Sequence, residues 1–162
     1  MIIPSYIEME KLVNCVFKQQ NRINWDKNLL NQEVTHLKHK HCTLVHQTNK
    51  AVLNFHNRDF YDKMVSFCHD GSFYYYFSSI PNGDQLKPPV EKCERAWTYF
   101  GCSKVERLKE GKNRGKLRVI TLMQSDMKIR ITPKIVAMFL PSGISDWTKK
   151  MQRYLNEYYD KL

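Results

Sequence analysis

The sequence predicts an α+β fold, a helix-rich single domain with a basic β-hairpin in its second half. Three observations predict it. The 162 residues suit one core rather than two large domains. Apolar residues recur at three- and four-residue spacing over long stretches, the period of a helix face. A glycine-bearing basic loop separates two β-prone runs, the pattern of a hairpin. With 42% hydrophobic and 12% aromatic residues, the composition excludes a disordered chain. No apolar run approaches the roughly 20 residues of a membrane-spanning helix.

The elements follow in order. Tyr6, Met9, Leu12, Val13 and Val16 give a helix over 5–20, broken at Asn21–Asn24. Leu30, Val34, Leu37, His41 and Leu44 form one helical stripe over 26–47. Residues 50–69 read as helix again, with Asn57 as an N-cap and Phe60, Met64 and Phe67 on one face. After a turn at His69–Ser72, the aromatic run 73–80 reads as a strand. Pro89 starts a short helix whose face is Val90, Cys93, Ala96, Trp97 and Phe100, ended by Gly101. Residues 104–108 and 117–123 are the hairpin strands, and Lys128–Ile131 is a third short strand. Thr132 and Pro133 open a helix through Leu140; Ser145 caps a last one with Trp147, Met151, Leu155, Tyr158 and Leu162 on its stripe.

Charge supplies the first functional expectation. The formal net charge is +10, and 104–134 hold ten Lys/Arg against three acids. Such concentration points to a polyanionic partner. A hairpin tip carrying Lys112, Arg114 and Lys116 reaches phosphates without a deep pocket, and its glycines allow close backbone approach. Lys92 and Arg95 on the preceding helix, Lys104, Arg107 and Arg118 on the strands, and Asn113 in the loop complete the expected contact set. A short helix followed by a basic hairpin is the order of recognition helix and wing in a winged-helix domain. The expected partner is double-stranded DNA, with a homodimer allowed and no membrane.

Longer stretches add a resemblance. Cys93–Cys102, the basic hairpin and Ile129–Leu140, with Gly143–Ser145 behind and Met64–Gly71 ahead, resemble the winged-helix region of plasmid replication initiators of the RepA type. The similarity covers about residues 57–147. It implies sequence-specific duplex binding in replication initiation or transcriptional control, with no catalytic residues. The domain is then 1–162, with a winged-helix-like core at 50–140 and helical extensions at 1–49 and 141–162.

Two alternatives stand beside it. One is a protein-binding inhibitor or effector of a mobile element, using Tyr154, Tyr158 and Tyr159. The other is a metal-dependent nuclease using His39, His41 and Asp84. Cys42 and His46, four apart on a helix, would share a metal, but Lys38 and Lys40 beside them repel a cation. No metal or cofactor is therefore expected. The aromatic run 73–77 reads as core rather than as a base-stacking platform, since both of its faces are aromatic. Five scattered cysteines without a paired motif, and no visible signal peptide, point to reduced thiols in the cytoplasm.

Overall fold

The computed structural model describes residues 1–39, 41–51 and 55–159, and the side chains of Phe139, Tyr158 and Tyr159 lie outside the description. The described chain is dominated by sheet. Strands β1 (Ile2–Ile3), β2 (Leu29–His36), β3 (Cys42–Asn49), β4 (Asn57–His69), β5 (Ser72–Ser79), β6 (Cys93–Arg95), β7 (Trp97–Arg107) and β8 (Leu117–Asp126) form it. Their order is β1-β8-β7-β5-β4-β3-β2, with β6 paired to the start of β4. Neighbours are antiparallel except β6, which runs parallel to β4. Helical pieces flank the sheet: α1 (Met9–Leu12), a π-helical turn (Val13–Phe17), α2 (Gln19–Arg22), α3 (Gly83–Leu86) and α4 (Pro133–Tyr159).

This architecture corrects the helix-rich, winged-helix expectation. The stripe over 26–47 is the β2–β3 hairpin, in which Val34 faces Val45. Its turn contains neither Gly nor Pro, so nothing in the sequence punctuates it. Residues 57–69 form β4, where Phe60, Asp62 and Met64 share one face at period two. Phe60, Met64 and Phe67 satisfy a helical period as well, and the pairing of long strands decided between the two.

The expected recognition helix over 90–100 does not exist. Val90 lies in a loop, Cys93–Arg95 is β6, and Trp97 begins β7. Gly101 ends no helix but sits mid-strand opposite Phe77, where a Cβ would come within 2.1 Å of the Phe77 ring. The segments that carried the likeness to RepA-type initiators are therefore strand β7 and the start of α4. Lys128–Ile131 is not a strand, and the two C-terminal helices are one, with Pro141 inside it. Three expectations match the structure: helix within 5–20, strand at Ser72–Ser79, and the β7–β8 hairpin with its basic loop.

One face of the sheet is covered and the other open. Val45, Met64, Phe73, Tyr75, Val105, Leu117 and Val119 make the covered, inner face. Ile7, Leu12, Cys15 and Val16 from the N-terminal helical pieces, and Met151 and Leu155 from α4, pack with it in one core. The aromatic strand β5 thus divides its rings by parity. Phe73, Tyr75 and Phe77 point inward, while Tyr74 and Tyr76 point outward and stack on Phe67 at 5.3 and 5.9 Å.

Candidate functional site

The inner face is apolar and aromatic, with a few polar groups set into it. Phe17 from the π-helical turn lies 5.5 Å from Phe73 and 5.6 Å from Tyr75, and Tyr75 lies 5.6 Å from Phe77. Because Gly101 has no side chain, the Phe77 ring lies directly against the strand beside it. The Tyr75 hydroxyl donates to Met64 Sδ and accepts from Gln19 Nε2. Gln32 Nε2 in turn donates to Gln19 Oε1 at 2.6 Å.

A buried carboxylate, Asp62, interrupts this face between Phe60 and Met64. The hydroxyls of Ser79 and Thr98 donate to it at 2.7 and 3.3 Å, and the Thr98 amide donates to Ser79 Oγ at 2.8 Å. Burial pushes the Asp62 carboxyl up; the two hydroxyls and the more distant Arg95 and Arg22 offset that only in part. A second carboxylate, Asp26, joins the helices to α4. It pairs with Arg22 at 2.9 Å and accepts from Trp147 Nε1 at 3.3 Å. Arg22 also donates to Gln47 at 3.1 Å, which ties α2 to β3.

The outer side holds a different charged cluster. Asp59 is fully buried and accepts from Arg95 at 2.9 and 3.0 Å, His46 at 2.9 Å and the Val90 amide at 3.1 Å. Burial raises its pKa, but these bonds and the Arg95 charge outweigh burial and hold it below the usual carboxylate range. Arg95 extends to Asp84 and to the Lys87 carbonyl, pinning the long loop after β5 onto the sheet.

Only part of helix α4 is packed. Its second half seats Trp147 edge-on against Trp25 at 5.1 Å and buries Met151 and Leu155. Its first half exposes Ile135, Val136, Met138, Leu140 and Ile144, with Met138 at 66%. Pro141, which removes the amide that would donate to the Ala137 carbonyl, separates the two halves. Arg58, itself buried, anchors the approach to α4 by donating to the Met127 and Lys128 carbonyls. The sheet is uncovered at the same end. Met123, in register with Gly101 on the inner face, is 65% exposed. Two hollows open at the margins: about 490 Å³ between Gln20, Ile23, Gln32, Val34 and His36, and about 240 Å³ between Ile3, Ile7 and Leu155. This arrangement can hold an elongated apolar molecule with a few hydrogen-bonding groups. Among the described residues no three His, Cys, Asp or Glu side chains converge as metal ligands.

The residues expected to contact DNA fall into two groups. Arg95 is consumed by Asp59 and Asp84; Lys104 and Arg118 both pair with Glu106; Lys92 lies in a turn before β6 beside Glu91. Lys112, Asn113, Arg114 and Lys116 share the β7–β8 tip, with Lys116 donating to Asn113 and Arg107 to the Gly115 carbonyl. The double-stranded DNA reading loses its recognition element, because residues 90–100 are loop and strand rather than the expected helix. Replication initiation and transcriptional control go with it. The nuclease alternative also fails on geometry. Asp84 is held by Arg95, while His39 and His41 flank Lys40 in the β2–β3 turn; Lys40 lies outside the described residues. Cys42 and His46 lie on a strand, not a helix, so four residues separate them by about 13 Å. Of the tyrosines invoked for a protein-binding effector, Tyr154 packs against the core, and Tyr158 and Tyr159 lie outside the described side chains.

Sequence reasoning missed Asp62 and Asp59, and read Gly101 as a helix end rather than as room for the Phe77 ring. One signal was available: an acid at period two between Phe60 and Met64 marks a polar group on a buried face.

The fold recurs in solved structures. Human StAR-related lipid transfer protein 5 superposes with a TM-score of 0.81 at 19% identity, over 98% of this chain and 74% of that one. Human STARD10 gives 0.78 at 16% identity, with the chain spanning 61% of its length. A protein from Xanthomonas axonopodis, described as a STAR-related lipid transfer protein fragment, gives 0.65 at 11% identity over 91% of this chain and 78% of that one. No curated protein matches the sequence. The START domain model matches residues 5–161, from the helical pieces that cover the inner face to the packed end of α4, and the chain belongs to the START domain family.

Proposed function

We propose that this chain binds a lipid-like amphiphile between the inner face of its sheet and the first half of α4. One observation carries the reading: a helix that is packed at one end exposes five large apolar residues at the other, and Met123 on the inner sheet face is exposed as well. Leaving both surfaces in water is unfavourable by about 25 cal/mol per Å² of apolar area, and an apolar ligand removes them together. Membership of the START family supports this, as do the similar structures of lipid transfer proteins. A lipid replaces double-stranded DNA as the partner. Among the described residues no helix is long and apolar enough to cross a membrane. Five free cysteines support a reducing, cytoplasmic setting.

The experiment is lipid extraction. The chain is incubated with vesicles containing sterol and phospholipid, reisolated, and its bound lipid identified by native mass spectrometry. One lipid per chain is expected, falling at least several-fold in Leu140→Lys and Ile144→Asp. A chain that returns empty from both lipid classes refutes the reading.

A further inference from the structure

We propose that the end of the sheet carrying the β7–β8 hairpin is an electrostatic anchor for an anionic lipid bilayer, separate from the ligand-binding face. The inference goes beyond the lipid-binding reading and does not depend on it.

Topology assembles this end. The β7–β8 hairpin, the β4–β5 turn at Asp70 and Gly71, and the β2–β3 turn all leave the sheet on the same side. With the strand order β8-β7-β5-β4-β3-β2, the three tips stand in a row. At neighbouring-strand spacing that row spans about 24 Å. It carries Lys38, Arg107, Lys109, Lys112, Arg114 and Lys116 against Asp70 and Glu110.

Among the described residues these cations have no acidic partners, and unlike other unpaired cations such as Lys63 on β4 and Lys149 on α4 they gather at one end of the sheet. Elsewhere Lys104 and Arg118 share Glu106, Arg95 pairs with Asp59 and Asp84, Lys87 with Glu33, and Lys128 with Asp126. Among the described residues, Lys109, Lys112 and Arg114 make no ion pair and are exposed. Lys116 and Arg107 bond only to the neutral Asn113 oxygen and Gly115 carbonyl, so their charges stay uncompensated. The tip is also rigidly turned. Gly111 and Gly115 have φ of +74° and +82°, Arg114 N donates to Gly111 O, and Gly115 N donates to Leu108 O.

The chemistry of this end fits a headgroup layer. From Lys109 to Lys116 there is no large apolar side chain to insert into a hydrocarbon layer or to fill a protein partner's pocket. A row of projecting cations without a concavity suits many mobile phosphates and carboxylates at a flat surface. The anchor lies away from the lipid-binding region. β8 runs ten residues from the hairpin to the end where α4 begins, about 33 Å. A chain anchored by its tip therefore holds the exposed half of α4 away from that surface, free to meet a second membrane.

Vesicle flotation tests this with the full chain. Wild type is expected to float with phosphatidylserine-rich vesicles at low salt and to be released at high salt. The Lys109→Gln/Lys112→Gln/Arg114→Gln variant should lose that binding by roughly 100-fold while keeping its circular dichroism spectrum and its lipid loading. Lys149→Gln/Lys150→Gln/Arg153→Gln, which removes the same charge from α4, should stay within about twofold of wild type. Leu140→Asp should lose lipid loading yet still float, which separates this anchor from the ligand site. Equal loss in both triple variants would mean net charge alone and would overturn the anchor. So would a wild-type chain indifferent to phosphatidylserine, with an acidic protein then the better partner for the tip.

Discussion

The two halves of α4 share a sequence pattern and differ in what they touch. Trp147, Met151 and Leu155 recur at helical spacing and are packed; Val136, Leu140 and Ile144 recur in the same way and are exposed. Periodicity therefore fixes that a helix has an apolar face, not that the face has a partner. The packed half belongs to the fold. The exposed half belongs to whatever the fold binds. The inner sheet face repeats the contrast, since β8 is buried there at Leu117 and Val119 and exposed at Thr121 and Met123.

Truncation should break the comparison most strongly. Met151→Ala, at a fully buried site, is expected to destabilise the chain by about 2–5 kcal/mol, whereas Met138→Ala should change stability by no more than about 0.5 kcal/mol. Urea unfolding of both variants checks this, and equal losses would mean that the first half is packed too. Next comes Pro141→Ala. Restoring the missing amide should stabilise α4 by an amount up to about 3 kcal/mol, with protection gained around Ala137 in amide exchange. If Pro141 instead marks a bend that the fold requires, the variant loses stability.

A smaller effect separates the two buried carboxylates of β4. Asp62 is answered by hydroxyls alone, and its raised pKa means the folded chain holds that proton more tightly than the unfolded chain. Its ionised form costs stability at neutral pH, and the cost is relieved as pH falls through the raised pKa towards the ordinary carboxylate range. Asp62→Asn should abolish that acid-side gain in urea midpoints. Asp59 behaves oppositely. Its lowered pKa contributes stability that is present above the ordinary carboxylate pKa of about 3.9 and is lost as pH falls through the lowered value. Identical pH profiles for Asp62→Asn and wild type would reject this assignment. The smallest stability effect belongs to Ile144→Ser, expected within about 0.5 kcal/mol, with weaker lipid loading as its visible phenotype.

Local chemistry made some of this legible from sequence. Strand β5 is written in consecutive aromatics, and the β7–β8 hairpin in alternation around a glycine-bearing loop. The N-terminal helical pieces and the apolar face of the last helix follow from spacing. Strands β2, β3 and β4 did not, for a physical reason. The β2–β3 turn lacks strong punctuation, the Asp70–Gly71 turn after β4 does not tell strand from helix before it, and Leu30, Val34, Leu37 and Leu44 satisfy a helical period by coincidence. Long-range pairing, as between Val45 and Asp62, outweighed that local preference. With residues 90–100 read as a short helix, Gly101 reads as its terminator. Its actual role, room for the Phe77 ring, depends on a residue 24 positions earlier. The positive charge was visible from composition, but which cations are neutralised is a property of cross-strand neighbours such as Glu106 and Arg118.

Hydrogen exchange along α4, with and without lipid vesicles, tests the central claim most directly. If the first half is a ligand surface, lipid should slow amide exchange over 134–146 and leave 147–157 nearly unchanged, because that half is already packed. Equal slowing along the whole helix, or none in the first half while lipid is bound, would contradict it.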